Sequence, residues 1–292
     1  MDLTPVENHD GLWVKREDLY QGAFGVNGAK YRACQYLIGR AVAHGATRIV
    51  SAASVLSPQS AMASVVAKEV GVQCHVIVGG TTPEKAIPVH KPMRIAQAAG
   101  ATFSCIPVGY NPALQSAALH AVEDDLIETS WRLPYGISTP PDATQRDIEL
   151  FLQVGAPQTA NIPDEVETLV IPFGSGNTAA GVLYGLHDNR PRNLKRVVLI
   201  GIGPDRLQWV KDRLASLDWP LGLTPEGVEL VHMQLHPWFS EYGDKMPGEL
   251  DGITLHPTYE GKVVRFLDTA QPDWWTARDG KTCLWIVGGP LP

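Results

Sequence analysis

Four short stretches of this sequence hold residue types that can do covalent or acid–base chemistry. In LWVKREDLYQGAFGVNGAKYRACQYLI, Leu12 to Ile38, a short strand and a glycine-rich loop lead into a helix, and Lys30 stands where loop becomes helix. A helix N-terminus favours anions, so a lysine there is electrostatically misplaced. It is either a solvated side chain, the usual state of lysine, or an amine kept in a cleft to form a Schiff base with a carbonyl. In PFGSGNTAAG, Gly174 and Gly176 let backbone N–H groups approach an anion at a helix start, and Ser175, Asn177 and Thr178 add side-chain donors. That is a phosphate cup or an ordinary helix-opening turn. It is not a Walker loop, because no GK[ST] follows, and it lacks the GxGxxG spacing of a dinucleotide site. In HPTYEGK, Tyr259 and Glu260 set a proton donor beside a carboxylate, unless they are a surface tyrosine and a first-turn glutamate complementing the helix dipole. In SVLSPQS, Ser54 to Ser60, the serines and glutamine exceed the single hydroxyl that a helix cap needs.

The elements that must position these groups alternate. Buried strands are expected at Arg48–Ala53, Gln73–Val78, Thr102–Val108, Glu167–Pro172, Arg196–Gly203 and Thr282–Gly289, with a weaker one at Gly227–Met233. Helices are expected at Lys30–His44, Pro58–Glu69, Met93–Ala99, Pro112–Asp125, Thr144–Val154, Ala179–Leu186, Arg206–Ser216 and Glu260–Leu267. Nearly continuous apolar strands alternating with helices predict an α/β protein with two doubly wound, mostly parallel sheets. Trp131–Ala143 reads as a loop, and His236–Thr258 shows no period. In such folds ligands sit beyond the carboxyl ends of strands, where every glycine loop named here lies.

Length and composition bound the rest. The 292 residues allow one large or two moderate domains. The net charge of −7, with no lysine–arginine run, argues against a nucleic-acid groove but leaves open a nucleotide-sized substrate. The four cysteines are scattered singly and the nine histidines show no ligand spacing, so no metal role is assigned. Reduced core thiols point to the cytoplasm. The acidic, polar MDLTPVENHD is no signal peptide, and no apolar run is long enough to span a membrane.

A phosphate cup, a loop lysine and an isolated carboxylate together suit pyridoxal 5′-phosphate. The chain resembles the tryptophan-synthase-β-like family of pyridoxal-phosphate enzymes (fold type II), nearest to 1-aminocyclopropane-1-carboxylate deaminase and D-cysteine desulfhydrase. The likeness runs in order over nearly the whole chain. VKREDL…FG…N…KYR…YLI resembles the Schiff-base segment, SPQS the SNQ motif, GSGNTAAG the phosphate loop, SEYG the active-site tyrosine segment, PTYEGK the PVYEGK motif and IVGGP the closing HxGG turn. The resemblance implies a cofactor bound by Lys30, Gln59, Gly174, Ser175, Gly176, Asn177, Thr178 and Glu260, with Glu260 facing the pyridine nitrogen. It implies catalytic roles for Lys30 as base and for Ser57, Tyr242 and Tyr259 as proton donors or nucleophiles. It further implies a smaller α/β domain over 45–135, a larger cofactor-binding domain over 1–44 plus 136–292, a cofactor cleft between them, and a homodimer.

The departures fall on the substrate side. Pro58 stands where the family has asparagine, two extra residues separate Asn27 from Lys30, and the segment between Tyr242 and Tyr259 is short. The first expectation is a lyase or deaminase acting on a small amino acid. The alternative is decarboxylase or β-replacement chemistry on an amino acid carried by something larger, such as a modified nucleobase. A non-catalytic binding module fits poorly with Lys30, the loop and Glu260 all kept.

Overall fold

The computed structural model describes residues 2–124, 129–140, 142–217 and 222–292. In chain order the elements are β1 (Val6–His9), β2 (Leu12–Arg16), α1 (Ala29–Ala43), β3 (Arg48–Ala52), α2 (Gln59–Glu69), β4 (Gln73–Gly79), α3 (Pro83–Val89), α4 (Lys91–Ala98), β5 (Thr102–Ile106), α5 (Asn111–Glu123) and β6 (Ser130–Arg132). There follow α6 (Gln145–Leu152), β7 (Thr168–Phe173), α7 (Asn177–Leu186), β8 (Arg196–Gly201), α8 (Leu207–Ala215), β9 (Glu229–Gln234), β10 (Gly248–Leu250), β11 (Ile253–Leu255), α9 (Glu260–Ala270), α10 (Asp273–Thr276) and β12 (Thr282–Ile286). The chain divides into two compact units. The first is Met1–Tyr20, Asn27–Lys30 and Asp142–Pro290; the second is Gln21–Val26, Tyr31–Pro141 and Leu291–Pro292.

The first unit is built on a six-stranded sheet of order β1-β2-β12-β7-β8-β9. Every pairing is parallel except the β1–β2 hairpin. Strand alternation sends its side chains to two cores. Leu169, Ile171 and Phe173 of β7 join Val197 and Leu199 of β8 under Val182, Leu183 and Leu186 of α7 and Val210 and Leu214 of α8. Val170, Val198 and Ile200 face the other way, onto Val263, Val264 and Leu267 of α9. A sheet covered on both faces is why β7 is buried throughout and reads as an unbroken apolar run. A separate two-stranded hairpin joins β10 to β11.

The second unit holds a four-stranded, wholly parallel sheet of order β5-β4-β3-β6. Val50, Ala52 and Ile77 pack there against Leu114 and Ala118 of α5. Both sheets are parallel-dominated, as the alternation predicts.

The differences from expectation are local. β1 and the β10–β11 hairpin were not anticipated, although each turns on an Asp-Gly pair, Asp10–Gly11 and Asp251–Gly252, with positive φ at both residues. That is the backbone a two-residue hairpin loop requires. β6 lies within the stretch read as loop, recruited by parallel pairing of Arg48 with Ser130. α3 starts at Pro83, where the missing N–H costs nothing. α7 begins at Asn177, two residues before the expected start, which puts Asn177 and Thr178 in its first turn. The expected end of α5 at Asp125 lies outside the described residues. Among the described residues no helix is long and apolar enough to cross a membrane.

Candidate active site

The carboxyl end of β7 runs through Phe173 into Gly174, Ser175 and Gly176 before α7 begins. Two of these positions admit only glycine. Gly176 has φ +88°, and a Cβ there would lie 2.9 Å from Val210 and 3.0 Å from the Trp209 ring. A Cβ on Gly174 would sit 3.3 Å from Cε1 of Tyr259. The unpaired N–H groups of the first turn of α7, with Asn177 and Thr178 half-buried and Ser175 exposed, form a surface suited to an anion. The Asn177 amide donates to Ser175 Oγ at 3.5 Å.

A second assembly brings Lys30 and Glu260 onto one piece of backbone. Glu260 opens α9 and is fully buried. Its Oε1 accepts the Val287 N–H at 2.7 Å, while Oε2 has no hydrogen-bond partner among the described residues. Burial pushes the carboxyl up to about 8, against the pull of the backbone N–H groups of Glu260, Val287 and Gly288. The same Val287 accepts the Ala29 N–H through its carbonyl at 2.9 Å. Gly28, at φ +89°, makes that approach possible, because a Cβ there would fall 2.5 Å from the Val287 oxygen. Asn27 Oδ1 accepts the Gly289 N–H at 2.7 Å. The terminal glycine turn thus holds the Glu260 carboxyl on one side and the run into Lys30 on the other.

The tyrosines complete the group. Tyr259 caps α9, and its hydroxyl lies 3.4 Å from that of Tyr242. The Tyr242 ring covers Gly203, where a Cβ would meet Cδ2 at 2.9 Å. Burial of the hydroxyl and the neighbouring Tyr259 raise the pKa of Tyr242, opposed by the charge of Lys30. His256 is a residue that sequence reasoning passed over. Its ring tilts over Tyr259 with centroids 4.8 Å apart, and its Nδ1 accepts the Thr258 N–H at 3.2 Å. Burial, with the charges of Lys245 and Lys30, pushes it down to about 4. The available signal was its place at the head of HPTYEGK. In the first unit, therefore, Lys30 stands within electrostatic reach of Tyr242 and His256, which are joined through Tyr259 to Gly174 and Glu260.

Ser57 and Gln59 belong to the second unit. Ser57 Oγ accepts the Gln59 N–H at 3.3 Å, an N-terminal helix contact. The buried Gln59 amide is held by the 134–136 loop: its Oε1 accepts the Gly136 N–H at 2.8 Å, and its Nε2 faces the Pro134 carbonyl at 3.5 Å. Pro58 supplies the carbonyl that accepts the Met62 N–H.

Comparisons with known proteins agree with this arrangement. The chain is 29% identical to the O-seryl-dTMP PLP-dependent decarboxylase of Salmonella phage ViI, over 97% of this chain and 79% of that one. It is 24% identical to a 1-aminocyclopropane-1-carboxylate deaminase of Mesorhizobium japonicum, over 99% of this chain and 93% of that one. A solved ACC deaminase homologue shares the fold, with a TM-score of 0.72 at 20% identity, covering 99% of this chain and 90% of that one. Residues 2–217 match the model of the pyridoxal-phosphate dependent enzymes, and the chain belongs to that family.

Proposed function

We propose that this protein decarboxylates a seryl-type amino acid carried on a pyrimidine nucleotide, using pyridoxal phosphate. The residues present fit the cofactor. Glu260 Oε2 is a buried acceptor with no protein partner, as a pyridine N–H requires. Gly174, Gly176 and the first turn of α7 form the phosphate cradle, with Ser175, Asn177 and Thr178 as added donors. Lys30 is the amine that anchors the cofactor covalently. Gln59 is assigned to the cofactor and Ser57 to the substrate on motif resemblance alone.

Bound pyridoxal phosphate supplies an electron sink for the pair left on the α-carbon when a bond there breaks. The chain's own groups set the proton inventory. A buried Glu260 carboxyl raised to about 8 carries a proton at neutral pH, so it brings the ring nitrogen its hydrogen rather than merely attracting one. Lys30, freed from the cofactor by the substrate amine, is the group that returns a proton to the α-carbon after carbon dioxide leaves.

The observation that carries the choice of reaction is the neutrality of the two groups beside Lys30. Tyr242 is held protonated and His256 unprotonated. A seryl ether whose α-carbon bears an electron pair can expel its β-oxygen, and that departure is helped by a strong acid. Neither group is a strong acid here, so loss of carbon dioxide followed by protonation of the α-carbon is favoured over elimination. The exposure of Tyr242, 45%, suits a substrate that extends beyond a free amino acid. The likeness to the O-seryl-dTMP decarboxylase supports the same reading.

The test is product analysis. Holoenzyme is given O-seryl-dTMP, 1-aminocyclopropane-1-carboxylate and a panel of free L- and D-amino acids, and carbon dioxide, ammonia and 2-oxo acids are measured. Carbon dioxide with the amine retained on the nucleotide is expected. Ammonia and a 2-oxo acid from a small free amino acid would overturn the reading in favour of a deaminase.

A further inference from the structure

Lys262 is a fully buried lysine that none of the chemistry above uses. It lies two residues beyond Glu260 in α9, and its Nζ donates to the main-chain carbonyls of Glu241 and Tyr242, the latter at 3.2 Å. No carboxylate forms an ion pair with it among the described residues. Taking an ammonium out of water without a counter-ion is costly, and here two carbonyls offset that cost. Burial accordingly lowers the pKa of Lys262, and Lys245 adds to the shift while Asp244 and Glu241 oppose it.

A methionine or leucine would fill this core position without that penalty. What the ammonium adds is a fixed position for one carbonyl pair, and the second member of the pair is Tyr242. The Nζ also lies 6.0 Å from the centre of the Tyr242 ring. The rest of the segment is drawn to the same turn. Met246 donates to the Pro257 carbonyl at 2.8 Å, and Lys245 Nζ donates to Thr258 Oγ1. Gly261 leaves room for the Met246 carbonyl, which a Cβ would strike at 1.9 Å.

We infer that Lys262 is a positioning residue that sets the place of the Tyr242 hydroxyl beside Tyr259 by holding the carbonyls of Glu241 and Tyr242. The inference rests on the reading of Tyr242 as a group that works at the substrate. It does not depend on whether the reaction is decarboxylation or deamination, since the cycle below runs on whichever substrate is turned over.

The experiment is a double-mutant cycle of Lys262→Met and Tyr242→Phe in the holoenzyme. Cofactor affinity is measured by absorbance, and hydrogen exchange is followed over 241–246. Lys262→Met is expected to lower kcat by about 10- to 100-fold, the scale of a misplacement near 1 Å, and to leave cofactor affinity within a factor of about three. Exchange rises over 241–246 and stays unchanged at the start of α7. In the Tyr242→Phe background the same change costs no more than about threefold, because the group it positions is gone. Lys262→Arg, a cation with several donors, restores most of kcat and serves in the cycle if the methionine variant does not fold. Multiplicative losses in the double variant, parallel loss of cofactor affinity, or a Tyr242→Phe variant with undiminished kcat would each overturn the inference. A change in which product forms bears on the reaction class alone.

Discussion

The two halves of the site that meet at the start of α9 are built differently. On the Glu260 side the ties are main chain or end on main chain: Val287 N–H to the carboxyl, Ala29 N–H to the Val287 carbonyl, and Gly289 N–H to Asn27. Glycine at 28 and 176 is enforced by both φ and space. On the Tyr242 side one backbone bond, from Met246 to Pro257, is joined by lysine side chains reaching across from each partner. Glu260 is wholly buried, whereas Tyr242 is 45% exposed. Positions fixed by backbone cannot drift without refolding the turn. Positions hung on side chains can be moved by single substitutions. A family in which relatives at similar overall identity deaminate or decarboxylate is what such a division permits.

The largest effect is expected at the end of the rigid half. Lys30→Ala is expected to lower turnover by at least about a thousandfold and to remove covalent cofactor labelling after borohydride reduction, located by mass spectrometry. A variant that still carries the label would show that another lysine is the anchor. Gly28→Ala comes next. It combines a left-handed backbone with a Cβ 2.5 Å from the Val287 oxygen, so roughly 2–4 kcal/mol of destabilisation is expected in denaturant unfolding. Gly45 has the same backbone hand, φ +94°, with nothing within 4 Å of its Cβ. Gly45→Ala should cost only the conformational part, about 1–2 kcal/mol. Equal losses at the two glycines would mean that the Val287 contact places no demand on the site.

Glu260 gives a pH signature of the same half. Its pKa is raised from 4.5 to about 8, so the folded apo-protein holds a proton that the unfolded chain releases. Stability from this group is intact below about 4.5 and is lost as pH rises toward 8. Glu260→Gln cannot lose that proton. The apo variant should therefore match the parent near pH 4.5 and exceed it by roughly 2–4 kcal/mol near pH 8, read from urea midpoints across the range. Curves that stay parallel would mean the carboxyl titrates normally.

The rigid half was also the more legible in sequence. GSGNTAAG and PTYEGK carry their chemistry in residue types, because a phosphate cradle needs small residues and a ring nitrogen needs a carboxylate. The strands of both sheets were legible because burial on two faces leaves an unbroken apolar run, as in β7. The Tyr242 side was not, because His236–Thr258 has neither helical nor strand period. What orders it is a set of long-range contacts, Lys262 to the Tyr242 carbonyl and Gly261 against Met246, which leave no local pattern. His256 escaped for a related reason. A lone histidine acquires meaning only when the fold sets it over Tyr259 and near Lys30. The Asp-Gly turns at 10–11 and 251–252 were legible and went unused.

The smallest effect, and the finest division between the halves, is expected from a pair of added methyl groups. Gly174 and Gly203 both have ordinary backbone and both touch a tyrosine, Tyr259 at 3.3 Å and Tyr242 at 2.9 Å from the built Cβ. Gly203→Ala must push the Tyr242 ring, but that ring is half-exposed and can yield by a few tenths of an ångström. Stability should change by no more than about 1 kcal/mol, cofactor affinity should hold, and kcat should fall about three- to tenfold as the hydroxyl moves from Tyr259. Gly174→Ala crowds Tyr259 from within the phosphate loop, so its loss should appear in cofactor affinity, measured by absorbance titration, before it appears in kcat. If Gly203→Ala weakens cofactor binding as much as Gly174→Ala does, the Tyr242 segment is part of the cofactor's support, and the two halves are one.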